Sequence, residues 1–337
     1  MKIAVLAGGV SPEHDVSMRS GQMIAKALSS RGHDVALCDI ARPVSDQPCA
    51  AFGGGMAIFD AYAPEAPTVK HASDFRGELI GEGVIDLCKS ADVCFLALHG
   101  GAGEDGHVQA LLECFGITYT GSSMAACHAA LDKQISKLIC KEAGICVPRG
   151  AVIKRGDKLP PIALPAVIKP LSCGSSVGVS FVDGGDGIAA ALDAAFEFED
   201  RVLIEEKIVG REFSVSVLGG RALPSVEIVP HGGKYDFQSK YRAGMTDEIC
   251  PGRLSEDEES EIGRLAKTAH KALGLSDYSR SDFILSEERK TFYYLETNAL
   301  PGMTESSLMP LAARAVGIKY GELCEMICAL ALERKTK

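Results

Sequence analysis

The sequence predicts a protein of mixed α/β and α+β class that is built from three parts. At roughly 100–200 residues per domain, its 337 residues are too many for one small core. The content of 46% hydrophobic residues is sufficient for a folded interior. The pattern also changes along the chain, from buried strands alternating with helices, through short strands, to longer strands followed by helices.

The first part, residues 1–120, is predicted to be a parallel α/β domain. Short apolar runs predict strands over residues 2–7, 34–40 and 92–98, and a helix follows the glycine turn after the first strand. Open sheets of this kind bind ligands at the C-terminal ends of their strands. We therefore expect functional side chains in the loops that follow these strands.

The second part, residues 121–209, is predicted to be a small central domain, because prolines punctuate the chain after residue 144. Its predicted elements are a helix over 124–143 and strands over 166–169, 177–182 and 202–206.

The third part, residues 210–337, is predicted to be α+β. Its predicted elements are strands over 212–218, 225–229, 281–285 and 292–296, a polar loop over 231–249, a helix over 255–273 and closing helices.

Composition excludes several classes of protein. The net charge of −10 disfavours a surface that neutralises nucleic-acid phosphates or anionic lipid. No apolar run reaches the roughly 18–20 residues that span a bilayer, and the first strand is too short for a signal-peptide core. We therefore expect a cytoplasmic protein. The 12 cysteines form no C-x-x-C pair, which favours reduced thiols over disulfides or zinc.

Two loops of the first part carry candidate side chains. Glu13 follows the first strand, where a solvated loop carboxylate and an ammonium-binding carboxylate are equally compatible with the pattern. The glycine-rich run from His99 to Gly106 follows the third strand and lets backbone approach a ligand. The spacing after the first strand is not G-x-G-x-x-G, so a dinucleotide fold is only weakly supported.

Lys169 ends a predicted strand and is followed by the Gly/Ser loop, residues 170–178. Backbone N–H groups and hydroxyls of such a loop can surround phosphate oxygens, although a plain hairpin turn is an open alternative.

The most informative residues lie on two predicted strands near the C-terminus. With a period of two, Arg280 and Asp282 share one face, and so do Glu296 and Asn298. Carboxylate and amide oxygens suit Mg²⁺ bound to nucleotide phosphates, whereas a surface salt-bridge ladder is the structural alternative. Gly302 follows closely and can present a backbone N–H to a developing oxyanion.

These motifs together resemble the ATP-grasp superfamily and, within it, the D-alanine–D-alanine ligase family. The resemblance covers essentially the whole chain. Its carriers are Gly8–Ser17, His99–Gly106, Tyr119–Ser122 with Asp132-Lys133, Lys169–Gly178, Tyr235-Asp236 with Lys240-Tyr241, Cys250-Pro251, Arg280-x-Asp282 and Glu296–Thr304.

The resemblance implies a role for individual residues in a three-domain ATP-grasp fold with the nucleotide between two sheets. It implies ATP binding by Lys133, Lys169, Glu205, Glu212 and Lys240, and two Mg²⁺ ions, which Mn²⁺ can replace, on Asp282, Glu296 and Asn298. It implies catalytic roles for Glu13, Ser175, Tyr241, Arg280 and Gly302, and substrate binding by His99, Ser307 and Leu308.

The activity implied by the resemblance is ligation of two D-alanine molecules through an acyl phosphate, for peptidoglycan synthesis, by a homodimer. A ligase with D-serine or D-lactate as acceptor is the first alternative, and a nucleotide-binding regulator without catalysis is the second. Many family members carry a charged residue between Lys169 and Gly174, where this chain reads Pro-Leu-Ser-Cys. We therefore expect different hydrogen bonding in this loop, and oxidation of Cys173 if its thiol is exposed.

Overall fold

Three sheets organise the chain in a computed structural model that describes residues 1–55, 59, 78–174, 177–231 and 246–335. The first sheet is parallel, with strand order β2-β1-β3. Its elements, in chain order, are β1 (Lys2–Ala7), α1 (His14–Ser30), β2 (Asp34–Asp39), α2 (Val84–Lys89), β3 (Val93–Leu96) and α3 (His107–Cys114). Nearly every residue of these strands is buried, as in parallel sheets covered on both faces, which confirms the predicted α/β start.

The predicted helix over residues 124–143 is wrong as a single helix. The chain forms α4 (Met124–Leu131) and α5 (Lys133–Glu142), which meet at Asp132. Asp132 has an extended backbone, and its carboxylate accepts the N–H groups of Gln134 and Ile135 at 2.9 and 3.0 Å. This N-cap ends one helix and starts the next.

The second sheet has four antiparallel strands in the order β4-β7-β5-β6. Its elements are β4 (Gly150–Lys154), β5 (Ala166–Pro170), β6 (Ser180–Val182), α6 (Ile188–Phe196) and β7 (Arg201–Glu206). Sequence analysis missed β4 and α6, and the strand predicted from residue 177 begins only at Ser180.

The third sheet has six strands, with β9 paired beside the path β11-β10-β8-β12-β13. Its elements, with the helices of this part, are β8 (Gly210–Leu218), β9 (Arg221–Ala222), β10 (Val226–Pro230), β11 (Thr246–Ile249), α7 (Glu256–Ala272), β12 (Tyr278–Ser286), β13 (Phe292–Asn298), α8 (Leu308–Ala315) and α9 (Tyr320–Lys335). The prediction of a polar loop through residue 249 is wrong for Thr246–Ile249, which forms β11 against β10.

The hydrophobic cores do not follow the three predicted parts one to one. One core joins β1, β2 and β3 to α8 and α9, and another joins α4 and α5 to the third sheet. The second sheet and α6 form a third, smaller core. The boundaries at residues 120 and 209 therefore stay predictions.

The structure describes all 12 cysteines, and each is a thiol outside any disulfide, as predicted. Among the described residues, no helix has the length and apolar character needed to cross a bilayer.

His270 on α7 should make the folded protein sensitive to acid. Its ring Nδ1 lies 2.7 Å from Ser279 Oγ, and burial lowers the pKa of His270 from 6.5 to about 4. Its contribution to stability is thus present above pH 6.5 and is lost as the pH falls toward 4. Between pH 7 and pH 4, the free energy of unfolding of the wild type should fall by up to roughly 3 kcal/mol more than that of His270→Gln. Denaturation with urea measures both. His128→Gln is the matched control because that side chain is exposed, and an equal pH profile for all three proteins would contradict the assignment.

Candidate active site

The register of β12 and β13 brings four predicted site residues to one face of the third sheet. Arg280 lies opposite Asn298, and Asp282 lies opposite Glu296. On the other face, Ser281 and Thr297 are buried and their hydroxyls lie 2.7 Å apart. The register between β12 and β13 shifts only after Asp282. All four polar site residues therefore lie in the regularly paired part of the two strands.

Arg280 and Asp282 form a two-pronged ion pair along β12. The guanidinium Nε and Nη2 donate to Asp282 Oδ1 and Oδ2 at 3.1 and 3.0 Å. Ser214 on β8 also donates its hydroxyl to Asp282 Oδ1 at 2.7 Å. These bonds fix the Asp282 carboxylate and hold the Arg280 guanidinium next to it on the site face.

Lys133 connects this face to the Gly/Ser loop. Its Nζ lies 3.4 Å from Glu296 Oε2 and donates to the carbonyls of Leu171 and Cys173 at 3.3 and 2.8 Å. Lys133 is also the first residue of α5, where the helix dipole adds positive potential. A phosphate near this point would meet a preformed cationic site.

A buried triad of Lys137, Glu205 and Lys169 lies beside Lys133. Glu205 Oε2 lies 3.0 Å from Lys137 Nζ, and its Oε1 lies 2.6 Å from Lys169 Nζ. Burial would raise the pKa of Glu205, but the two ammonium groups hold it below its usual value. Burial lowers the pKa of Lys137 to about 8, whereas the charges of Glu205 and Glu296 outweigh burial and raise the pKa of Lys169. The predicted ATP residues Lys169 and Glu205 thus contact each other directly.

Lys137 was not singled out by the sequence analysis. Its spacing of four from Lys133 places both lysines on one face of α5, which is the signal that could have identified it. Glu212, another residue predicted to bind ATP, lies on β8, and its charge contributes to the raised pKa of Lys169.

Glu13 lies between the loops that follow β3 and β5. A Cβ added to Gly100 would come 2.8 Å from Glu13 Oε2, and one added to Gly174 would come 3.8 Å from the same atom. Gly100 has φ +66°, so a side chain there would be strained as well as crowded. His99 is buried beside this carboxylate, and burial lowers the pKa of its imidazole.

Glu104 is a second carboxyl group at this edge that the sequence analysis did not assign. Its Oε2 accepts the Gly100 N–H at 2.8 Å. Burial and the neighbouring Glu13 charge raise the pKa of Glu104 to about 8. With a pKa of about 8, the Glu104 carboxyl group is mostly protonated at neutral pH.

Gly302 and Ser307 lie together after β13. A Cβ on Gly302 would come 3.0 Å from Ser307 Oγ. Ser307 is the N-cap of α8, whose first residue is Leu308, and its Oγ accepts the Thr304 N–H at 3.1 Å. A backbone N–H and a helix N-terminus at adjacent positions suit an oxyanion and a carboxylate.

Three predicted residues, Ser175, Lys240 and Tyr241, lie outside the described residues. Cys173 is described, and burial and then Glu199 raise the pKa of its thiol to about 12. The hypothesis of an oxidant-sensitive Cys173 is therefore disfavoured, because the thiol stays protonated at neutral pH.

The residues present fit hard, oxygen-binding cations. In the described part of the chain, no group of three or more His, Cys, Asp or Glu side chains is arranged for a metal ion. The predicted set instead combines two carboxylates with the amide of Asn298, whose buried Nδ2 has no hydrogen-bond partner there. The amide nitrogen cannot bind a cation, but the Asn298 Oδ1 and the two carboxylates are oxygen donors of the kind that Mg²⁺ prefers.

This geometry defines a class of protein. Lysines from a helix and a small antiparallel sheet meet carboxylates of a larger antiparallel sheet, and a parallel α/β domain adds a third wall, as in ATP-grasp enzymes. The family models for the D-ala D-ala ligase N-terminus and C-terminus match residues 2–122 and 155–329. The chain belongs to the D-alanine–D-alanine ligase family.

Relatives support this membership over nearly the whole chain. A D-alanine–D-alanine ligase of Pediococcus pentosaceus is 39% identical over 340 residues, covering 97% of this chain and 96% of the relative. That of Geotalea uraniireducens is 40% identical, covering 98% and 95%. The crystal structure of a D-alanine–D-alanine ligase from Bacillus anthracis complexed with ATP matches with a TM-score of 0.78 and 28% identity, covering 100% of this chain and 99% of that one.

Proposed function

We propose that this chain joins two D-alanine molecules to D-alanyl-D-alanine at the expense of ATP, releasing ADP and phosphate. Family membership gives the reaction class. The single structural observation that carries the proposal is the site face of β12 and β13, where Arg280 and Asp282 pair in register with Asn298 and Glu296 beside Lys133. This reaction supplies a dipeptide for peptidoglycan synthesis.

The nucleotide would lie between the second and third sheets. Lys133 and Lys169 are suited to its phosphates because both ammonium groups are buried next to carboxylates that a polyanion can replace as partners. Glu205 and Glu212 would face adenine and ribose. Lys240, Ser175 and Tyr241 keep the roles that the sequence resemblance assigns to them.

Asp282, Glu296 and Asn298 would hold Mg²⁺, with Mn²⁺ as a substitute. Bound there, the cation neutralises charge that develops on the transferred phosphoryl group. Asp282 and Glu296 lie opposite each other, so the protein's own contribution is to fix two oxygen donors at one point on the sheet.

The first D-alanine would bind with its ammonium at Glu13 and its body against His99. Its carboxylate oxygen attacks the γ-phosphorus of ATP, the bond to the β–γ bridging oxygen breaks, and ADP and an acyl phosphate form. Phosphoryl transfer of this kind depends on positioning and charge stabilisation. The site would also need to exclude water that hydrolyses the acyl phosphate.

The second D-alanine would bind with its carboxylate at Ser307 and the N-terminus of α8. Its amine, in the unprotonated form, attacks the acyl carbon, phosphate leaves with the electrons of the carbon–oxygen bond, and the nitrogen releases a proton as the amide forms. Arg280 and the Gly302 N–H would stabilise the tetrahedral oxyanion, the kind of interaction that acts mainly in the transition state. Homodimer formation through the first part is a further proposal, testable by light scattering.

We expect the purified chain with ATP and Mg²⁺ to release one phosphate per D-alanyl-D-alanine formed, with the product identified by mass spectrometry. D-Serine and D-lactate as acceptors should give lower rates, measured at pH 7 and pH 9 (about one unit either side of the Glu104 pKa). Faster product formation with D-lactate would reject the assigned acceptor. Phosphate release without any condensed product would reject the ligase itself.

A further inference from the structure

Glu199, in the connection between α6 and β7, contacts the Gly/Ser loop from outside the proposed nucleotide site. Its Oε2 accepts the Leu171 N–H at 3.1 Å, and its Oε1 accepts the Ser172 N–H at 2.8 Å. The Ser172 hydroxyl donates to the same Oε1, and the Cys173 thiol lies 3.5 Å from it. One carboxylate thus binds three consecutive residues of the loop.

Lys133 binds the same segment from the site side. The Leu171 carbonyl accepts the backbone N–H of Lys133 at 3.1 Å and its Nζ at 3.3 Å. The Cys173 carbonyl accepts Nζ at 2.8 Å. Carbonyl oxygens therefore face the ammonium group, whereas N–H groups face the carboxylate.

The peptide group between Leu171 and Ser172 spans the two charges. Its carbonyl accepts from Lys133, and its N–H donates to Glu199. Because a trans peptide has its C=O and N–H pointing in opposite directions, the dipole lies along the line from the ammonium to the carboxylate. Each charge favours the orientation that the other requires, and charge-assisted hydrogen bonds at both ends hold it.

We propose that Glu199 is a positioning residue that fixes this peptide, and through it the ammonium group of Lys133, for binding nucleotide phosphate. The inference rests on the proposed function, in which Lys133 binds ATP. Glu199 itself does not touch the substrate. Without its carboxylate, the buried Leu171 loses the acceptor for its N–H, and the loop can rotate the carbonyl away from Lys133.

The test measures the dissociation constant of ADP with Mg²⁺ by calorimetry, because it needs no turnover. We expect Glu199→Gln to weaken ADP binding about 10-fold or more, the effect of losing a charge-assisted hydrogen bond. Glu199→Asp, which keeps the charge on a shorter side chain, should restore most of the affinity. Glu197→Gln is the matched control, since that exposed side chain lies two residues earlier.

Steady-state kinetics should separate the two substrates. For Glu199→Gln, KM for ATP should rise about as much as the ADP dissociation constant, with KM for D-alanine within about 2-fold of the wild type. An unchanged ADP dissociation constant with a lower Tm would overturn the proposal, since Glu199 would then only support the fold. Equal increases in both KM values would also overturn it.

Two further arms keep the outcomes distinct. If Glu199→Gln does not fold, Ser172→Ala should still weaken ADP binding by a smaller factor while Glu199→Asp stays close to the wild type, and no weakening by Ser172→Ala would overturn the proposal. A wild-type protein that binds ADP but forms no dipeptide would reject the proposed function. In that case the ADP affinities of the variants would still test whether Glu199 positions Lys133.

Discussion

Replacing Glu296 with glutamine is expected to lower turnover by roughly 10²–10³-fold, the scale for loss of one group that stabilises developing charge. The substitution keeps the size of the side chain and removes its charge, on a strand where Glu296 lies opposite Asp282 and 3.4 Å from Lys133 Nζ. Its side chain is 25% exposed, so the change should move Tm by only about 2 °C or less. Dipeptide formation and thermal unfolding are the two measurements.

Glu287→Gln is the matched control for this prediction. Glu287 is exposed in the turn between the same two strands, so its replacement should leave both turnover and Tm near wild type. Asn298→Ala should lower turnover in the same way as Glu296→Gln. Normal turnover with a large loss of stability in either site variant would show that these residues form a structural ladder instead.

Replacing Glu205 with glutamine is expected to destabilise the fold by about 3–5 kcal/mol, the cost of removing one partner from a buried ion pair. Glu205 is the carboxylate that Lys137 and Lys169 share, and all three side chains are buried. Without the carboxylate charge, two neighbouring buried ammonium groups lose the counter-ion that they share. Chemical denaturation measures the loss, and added ADP should offset part of it by supplying negative charge.

Lys137→Met is the comparison that isolates the charge argument. It removes one ammonium group but leaves Lys169 and Glu205 as a balanced pair, 2.6 Å apart. We expect it to cost about 1–2 kcal/mol, mainly for the hydrogen bond to the Tyr294 carbonyl and for local packing. Equal destabilisation by the two substitutions would refute the charge balance described for the triad.

The site face of the third sheet is predictable from the sequence because strand geometry is periodic. Alternation alone places Arg280 with Asp282 and Glu296 with Asn298. The register between the two strands is not predictable in this way, since the connecting turn and the irregularity after Asp282 decide it. The roles of these residues in catalysis stay predictions.

The sequence does not reveal residues whose roles depend on partners that are distant along the chain. Lys137 and Glu199 look like ordinary helix and loop charges until folding brings them to Glu205 and to the loop after β5. Glu104 likewise gains its raised pKa from burial and from Glu13. By contrast, the break at Asp132 was detectable, because an aspartate within a helical pattern is a known N-cap signal.

The core that joins the first sheet to the last two helices has a consequence for biosynthesis. A ribosome releases β1, β2 and β3 long before α8 and α9, yet Leu323, Ile327 and other residues of these helices belong to the same apolar cluster. Arg31 and His33, at the end of α1 and beyond it, also pair with Glu325 on α9. The apolar face of the first sheet therefore lacks its cover until translation is nearly complete. During that time chaperones can bind it.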